Sequence, residues 1–572
     1  MASPAPPGGA ALRLDRGDLV CRRRGADPDR VSRVAFWELC ASYLAVVRAE
    51  PRIGPFGLIL ARTSPEMMAL FVAMIAAGRT VSFFPPNGER QDLETYVEQQ
   101  HEAVMNIAPS SILVLDEALQ ATLRRLDPAL DSLLVRLPRP DRSRGPGEAA
   151  GAACRDAFVA ALAAPDRLLF WQHSSGTTGI KKAVGVTAGM LLAQFEAYWP
   201  LVREHAGGED VRIASWLPLY HDMGLLTAFL LPLLGGAEVA MMDPFEWADA
   251  PHRFLAMIEA ERSNVCWMPN FAFRHYTRLA RVMKPHDLGS VRSWISCSEP
   301  CRYLDVLGFE EAFSGWGVTE GSVNGCYAMA ETVFAVSQLT PGAQKALIAP
   351  RTLRPGESLA AAGAAVTRTR RPQLRPDQQA VLSSGRAVGS LVAAVYVDDL
   401  PVAEGVFGEV GVRGEFLFSG YRSLSRATSR LSDDGLYLTG DLGVILDGEL
   451  YILGRSKEVI IVNGKNIYAA DVEDHVGRAP GVRSGRVAAF GIESALSGSE
   501  QLVIVAETDD SPGLEEADIR AAVVSLVHDA FLVKPHDVRL LDHRWLVKSS
   551  SGKVSRDRNR SKYLRDFSGD AT

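Results

Sequence analysis

Six consecutive residues, Ser174, Ser175, Gly176, Thr177, Thr178 and Gly179, use only Ser, Gly and Thr. They follow an apolar, strand-like run, Leu168-Leu169-Phe170-Trp171, and precede Lys181 and Lys182. A strand that empties into such a loop leaves its backbone N–H groups uncovered, and Gly176 and Gly179 permit positive φ. Consecutive N–H groups in that geometry form a concave anion site. Four hydroxyls and two lysines add donors and charge, so the stretch reads as a polyphosphate cradle, although a solvated surface loop has the same composition. It is not a P-loop of the Walker type, which needs a second glycine five residues after the first; Lys181 stands there.

The chain has 572 residues, 47% of them hydrophobic, and a net charge of −7. That length supports more than one domain around a large core, and the acidic balance gives no global field for nucleic acid. Seven scattered cysteines suit reduced thiols, and the Cys297/Cys301 pair lacks a second pair at metal spacing. No apolar run reaches the length of a membrane span; residues 225–234 are interrupted by Thr227 and Pro232. A cytoplasmic protein without stable membrane insertion is expected, with residues 1–28 as a disordered leader.

Strand and helix patterns then alternate. Strands are expected at 57–60, 80–84 and 112–115, with helices at 34–48, 65–77 and 93–106. Ser64-Pro65 and Gly78 fit the start and end of the second helix. Residues 137–151, rich in Pro, Arg and Gly, read as an exposed linker. A second series follows the cradle, with strands at 211–217, 237–241, 265–268 and 291–296. Alternation of this kind implies parallel, doubly wound sheets. Residues 342–381 break the pattern and carry Arg368, Arg370, Arg371 and Arg375. Antiparallel strands are expected beyond them, and a small α+β unit from Lys457 onward.

Tyr220-His221-Asp222-Met223-Gly224-Leu225, Pro269-Asn270-Phe271-Ala272-Phe273, Ser298-Glu299-Pro300, Met329-Ala330-Glu331, Thr439-Gly440-Asp441 and Ser551-Gly552-Lys553 stand in that order along the chain. With the Ser/Thr/Gly loop they resemble the acyl-adenylating superfamily, and most closely its fatty acyl-AMP ligase branch. The resemblance runs from about residue 34 to residue 565. It implies an α/β fold: a large N-terminal part (29–455) with two doubly wound subdomains and a β-barrel subdomain. A small mobile α+β C-terminal domain (456–572) follows a hinge at Lys457. The implied reaction uses ATP and Mg²⁺. A carboxylic acid becomes acyl-AMP with release of pyrophosphate, and a thiol then takes the acyl group. The thiol is the phosphopantetheine of an acyl carrier protein or, alternatively, free coenzyme A.

The resemblance also implies residue roles. Ser174 through Gly179 (Ser175, Gly176, Thr177 and Thr178 between them) and Lys182 would surround the β- and γ-phosphates. Glu331 would hold Mg²⁺, a role that suits a hard cation's preference for carboxylate oxygen. Tyr327, Ala328, Met329 and Ala330 on one side, and Ser298, Glu299 and Pro300 on the other, would enclose the adenine. Asp441 would bind the ribose hydroxyls with help from Arg455. His221 would gate the acyl pocket, whose wall would include Leu225, Trp267, Asn270, Phe271 and Phe273. Lys553 would meet the carboxylate and the α-phosphate, a charge aimed at the developing transition state. Gly464 would lie where the thiol approaches. Lys181 and Ala183 depart from the family's usual Pro and Gly, and Ala328 from its usual Gly. The segment 344–379 resembles the insertion of the acyl-AMP ligase branch, and its arginines would suit an acidic carrier; a solvated, disordered loop is the alternative. A catalytically silent nucleotide-binding homologue is the competing function, against which stands the full set of Lys553, Glu331, Asp441 and the cradle.

Overall fold

The computed structural model describes residues 11–22, 27–86, 96–97, 101, 104–173, 182–422, 430–432, 434–462, 465–493, 500–509, 514–548 and 554–567. The cradle residues 174–181, Gly464 and Lys553 lie outside them.

Two large sheets dominate. One has seven strands, with Leu168–His173, Thr80–Phe84, Phe56–Leu60 and Ser111–Val114 at its centre. The Thr80–Phe84, Phe56–Leu60 and Ser111–Val114 strands run parallel. The other has nine strands, and its parallel centre includes Ser293–Cys297, Val265–Pro269, Arg212–Ser215 and Glu238–Met242. Near-continuous burial of these strands is what parallel strands covered on both faces require. Helix Pro65–Ala76 packs on the first sheet and helix Arg33–Ala49 packs on that helix, capped by Ser64 and Ser32 side chains that accept from Met67 N–H and Ala35 N–H.

A third unit is a five-stranded antiparallel sheet that includes Val392–Val397, Gly408–Arg413, Tyr437–Leu446 and Glu449–Arg455. It shares a core (Leu347, Val381, Phe407, Val444, Leu453) with a smaller sheet of Ala346–Pro350, Ala365–Thr367 and Gln378–Leu382. The small C-terminal unit follows Arg455. It joins strands Val459–Val462 and Lys465–Tyr468 to a three-stranded sheet and to helices Ala469–Val476, Glu516–Phe531 and Arg556–Phe567.

Two expectations are corrected, and one alternative is set aside. The leader is not disordered from residue 11 on: Leu19–Arg22 lies parallel to Glu238–Met242, and Trp37 Nε1 donates to Leu14 O at 2.8 Å. Four residues are too few to show a period in sequence. The linker is shorter than expected, because helix Glu148–Leu162 takes its last residues and packs Phe158 against Trp37. Arg142 within it reaches Asp29 and Glu66. The segment 344–379 is no disordered loop. Its strands sit in the smaller sheet, and Arg370 is engaged by Glu310 at 2.6 Å and Glu320 at 3.1 Å, so it is not free to meet a carrier.

Candidate functional site

Strand Leu168–His173 leads into the cradle, and strand Ala183–Thr187 leaves it antiparallel to the first. The sequence Ala330-Glu331-Thr332 forms a 3₁₀ turn after strand Val323–Ala328. It is followed by Val333 at φ 65° and ψ −53°. Phe334 N–H donates to Thr332 O at 2.7 Å, which makes Val333 the centre of a γ-turn of the strained, positive-φ kind. A β-branched residue rarely adopts this conformation, so neighbouring contacts must hold it. Gln172, two residues before Ser174, supplies them: its buried Nε2 donates to Ala330 O (2.7 Å) and Val333 O (2.9 Å). Gln194 Oε1 accepts from Phe334 N–H at 3.2 Å. One glutamine thus ties the strand that delivers the cradle to the turn that carries Glu331.

The Glu331 side chain is buried, and its Oε1 accepts from Tyr421 OH at 2.6 Å. Burial raises its pKa, against the Tyr421 hydrogen bond, which lowers it. Tyr421 OH also meets Tyr437 OH at 2.9 Å. The Lys182 ammonium lies 4.5 Å over the Tyr421 ring. Burial and then Lys457 lower the Lys182 pKa, with Glu331 opposing. Lys182, Glu331 and exposed Lys457 therefore share one electrostatic neighbourhood.

On the five-stranded antiparallel sheet, Asp441 is buried between two donors. Tyr327 OH donates to Oδ2 at 2.5 Å and Arg455 Nε to Oδ1 at 2.6 Å. Ala328 is half-buried, while Met329 and Ala330 are buried beside it. Ser298 sits at the end of strand Ser293–Cys297 with φ 72°, its hydroxyl 3.5 Å from Met223 Sδ. Glu299 Oε2 accepts from Phe271 N–H at 3.0 Å, and Pro300 is half-buried. His221 pairs through Nδ1 with Asp222, while its Nε2 is buried without a hydrogen-bond partner among the described residues.

The expected acyl-pocket residues do not all share one surface. Leu225 is buried in the helical run behind His221. Trp267 lies in the sheet core, where its Nε1 donates to Tyr198 OH at 3.2 Å. Phe273 packs edge-on to Phe309 with centroids 5.1 Å apart. Asn270 is a strut, donating to Asp305 Oδ2 (2.9 Å) and accepting from Arg302 N–H (3.0 Å). Half-buried Phe271 instead meets an aromatic pair absent from the sequence reading. Trp216 and Trp247 stack at 3.7 Å with Phe271 edge-on to both.

Lys553 and Gly464 fall outside the described residues, but the ends of the Lys553 segment do not. Lys548 and Val554 form an antiparallel bridge. Burial, then Arg486, lowers Lys548 to about 8, and Glu299 acts in the opposite direction.

Sequence reading missed Gln172, Tyr421 and Tyr437. None carries a formal charge or falls in a motif of chemistry-bearing residues. Gly420-Tyr421-Arg422 after an antiparallel strand reads as a plain turn, and only the fold brings it to Glu331.

A donor set of one oriented carboxylate, a lysine and a hydroxyl-rich loop fits a nucleotide whose phosphates share a hard cation. Among the described residues, no group of three or more His, Cys, Asp or Glu is placed to hold a metal by itself. A cation here would be completed by phosphate oxygens.

Comparison with known proteins agrees. The AMP-binding enzyme family matches residues 40–422. The long-chain-fatty-acid–AMP ligase FadD32 of Mycolicibacterium smegmatis is 29% identical, over 96% of this chain and 92% of that protein. The medium-chain-fatty-acid–[acyl-carrier-protein] ligase JamA of Moorena producens is 29% identical, over 70% of this chain and 68% of its own length. A structure from a study of fatty acyl-adenylate ligases of E. coli and L. pneumophila superposes with a TM-score of 0.78, at 23% identity and with 97% of each chain covered. With the family matched over more than half its length, the chain belongs to the AMP-binding enzymes and is an adenylate-forming ligase of the acyl-AMP ligase type.

Proposed function

We propose that this ligase activates a fatty or bulky apolar carboxylic acid as acyl-AMP and passes the acyl group to the phosphopantetheine thiol of a carrier protein. The supporting observation is that Tyr421 joins two motif sets. Its hydroxyl meets Glu331 and also Tyr437, on the strand of Asp441, which is itself bonded to Arg455 and Tyr327, and its ring receives Lys182. In this reading Ser174 to Gly179 and Lys182 hold the phosphates, Asp441 and Arg455 the ribose, and Tyr327 and Ser298-Glu299-Pro300 the base. Glu331 would hold Mg²⁺, which when bound would neutralise phosphate charge. Lys553 stabilises charge as the carboxylate attacks the α-phosphorus. His221 and the aromatic face of Trp216, Trp247 and Phe271 border the acid, favouring an apolar or aromatic chain. Among the described residues no helix is long and apolar enough to cross a membrane, which suits work in the cytoplasm.

The carrier as acceptor is supported by the name of JamA, which specifies an acyl carrier protein. The test has two parts. Pyrophosphate release with a panel of acids should identify a preferred substrate; no release with any acid would support the silent homologue. Single-turnover transfer from preformed acyl-AMP should then be rapid to a phosphopantetheinylated carrier and slow to free coenzyme A. Rapid, saturable acyl-CoA formation would instead make the protein an acyl-CoA synthetase.

A further inference from the structure

Tyr421 occupies a two-residue strand, Tyr421–Arg422, contributed by the chain between strands Gly408–Arg413 and Tyr437–Leu446 of the antiparallel sheet yet paired with the strand that leaves the cradle. Its register places Tyr421 opposite Val184 and Arg422 opposite Ala183, next to Lys182. So short a strand needs anchoring, and Arg422 provides it. Arg422 Nε donates to Ile107 O at 2.8 Å and Nη2 to Ala108 O at 3.1 Å. The same guanidinium lies over the rings of Phe56 (5.0 Å) and Trp171 (5.4 Å). Behind Tyr421, Phe418 packs at 4.8 Å between centroids, and Phe418 N–H donates to Glu331 O at 2.8 Å. The ring is thus held from three sides before it meets either charged neighbour.

Those neighbours have opposite charge. The hydroxyl donates to Glu331 Oε1 at 2.6 Å, while the ring face receives the Lys182 ammonium at 4.5 Å. A neutral phenol can do both without cancelling either charge. Its O–H fixes one carboxylate oxygen and so sets the direction of the other. Its quadrupole holds an ammonium that would otherwise swing toward Glu331. A direct Lys–Glu ion pair would have consumed both groups, and the interposed tyrosine keeps them apart and aimed.

We propose that Tyr421 is a positioning residue that sets the Glu331 carboxylate for the nucleotide's metal ion and, through its ring, the Lys182 ammonium for the phosphates. The proposal rests on the reading of Glu331 as the metal-holding carboxylate. Partners that orient a metal-binding side chain typically affect metal affinity by about 10- to 100-fold.

The test compares Tyr421→Phe, Tyr421→Leu and Glu331→Gln in the full-length protein. The Mg²⁺ concentration for half-maximal pyrophosphate release is read for each. Calorimetric binding of ATP, with and without Mg²⁺ and in the absence of any acid, is read alongside. Tyr421→Phe keeps the ring and should raise the Mg²⁺ requirement about ten-fold, with the rate restored at high Mg²⁺ and Mg²⁺-free ATP binding unchanged. Tyr421→Leu should additionally weaken Mg²⁺-free ATP binding, because Lys182 loses its ring. A Tyr421→Phe enzyme with an unshifted Mg²⁺ requirement, while Glu331→Gln shifts it, overturns the proposal and leaves the Glu331 reading standing. So does a rate loss in Tyr421→Phe that Mg²⁺ does not restore. An unshifted requirement in Glu331→Gln overturns the Glu331 reading and the proposal with it. If Tyr421→Leu fails to fold, the phenylalanine variant alone decides.

Discussion

The candidate nucleotide site and the junction between the large and small units are both rich in carboxylates, but they use them differently. In the site, Glu331 meets a neutral phenol and Asp441 meets one phenol and one guanidinium. At the junction, Asp305, Asp471 and Asp474 face Arg274, Arg302 and Arg478 in a lattice of ion pairs. Arg302 Nη1 also donates to Gln379 Oε1 at 2.6 Å, and Tyr468 OH to Leu353 O at 2.9 Å, so the inserted sheet touches the same junction. Hydrogen bonds from neutral donors fix a carboxylate while leaving its charge available to a ligand. At the junction the ion-pair partners are guanidinium groups, so the charge is cancelled and attachment remains. The site is built to receive charge, and the junction is built to hold the small unit against the large one by ion pairs.

The largest effect should come from breaking the junction at its most buried pair. Asp471 is fully buried and Arg302 nearly so. Arg302→Met would leave an uncompensated buried carboxylate, worth about 3–5 kcal/mol. The expected outcome is faster hydrogen exchange in helix Ala469–Val476, with the large sheets unaffected. The double variant with Asp471→Leu should recover most of the protection, because an apolar pair can replace a buried ion pair. Equal exchange in parent and single variant would show that the lattice is ornamental to attachment.

The next effect separates what the small unit delivers from what the large unit fixes. Lys553→Ala should slow acyl-AMP formation by roughly 10²-fold or more, the scale of one preorganised contact to developing charge. Transfer from supplied acyl-AMP should persist, since the small unit then presents another face. Unchanged pyrophosphate release would remove Lys553 from the chemistry. Smaller again is Asp441→Ala, which should raise the apparent KM for ATP about ten-fold, the scale of a charged hydrogen bond. If ATP binding holds while the protein stays folded, Asp441 serves only to anchor Arg455 and Tyr327.

The contrast also explains what the sequence made legible. Strand and helix positions in the two sheets followed from apolar runs and caps, as at Thr80–Phe84 and Ser64-Pro65. Charged site residues announced themselves because their motifs concentrate chemistry in few positions. Positions whose meaning depends on distant partners did not. Trp267 reads as pocket lining until Tyr198 is seen to take its N–H. Arg370 reads as a docking charge until Glu310 is found beside it. Gln172 is one residue in a strand until its amide is seen closing the turn at Val333, 161 positions away. The paired strand Leu19–Arg22 was hidden by its brevity.

The smallest effect tests the contrast through pH. Burial raises Glu331 above the ordinary carboxylate value. A raised group contributes stability that is complete below its unfolded pKa and is lost as pH rises through the folded one. Asp474 has the opposite sign. Burial alone would raise it, but Arg274, Arg478, Arg302 and Arg351 together pull it down to about 2. Its contribution is therefore complete above the unfolded value and is lost as pH falls through the acid range toward 2. Acidification should loosen helix Ala469–Val476 while the turn around Glu331 keeps its protection. In melting profiles taken across pH, Asp474→Asn should flatten the acid limb of the small unit. Glu331→Gln should instead remove a loss that sets in as pH rises above the usual carboxylate range. An acid limb unchanged in Asp474→Asn would mean that other carboxylates hold the junction. Matching slopes in the two variants would mean that site and junction do not differ in the way their partners imply.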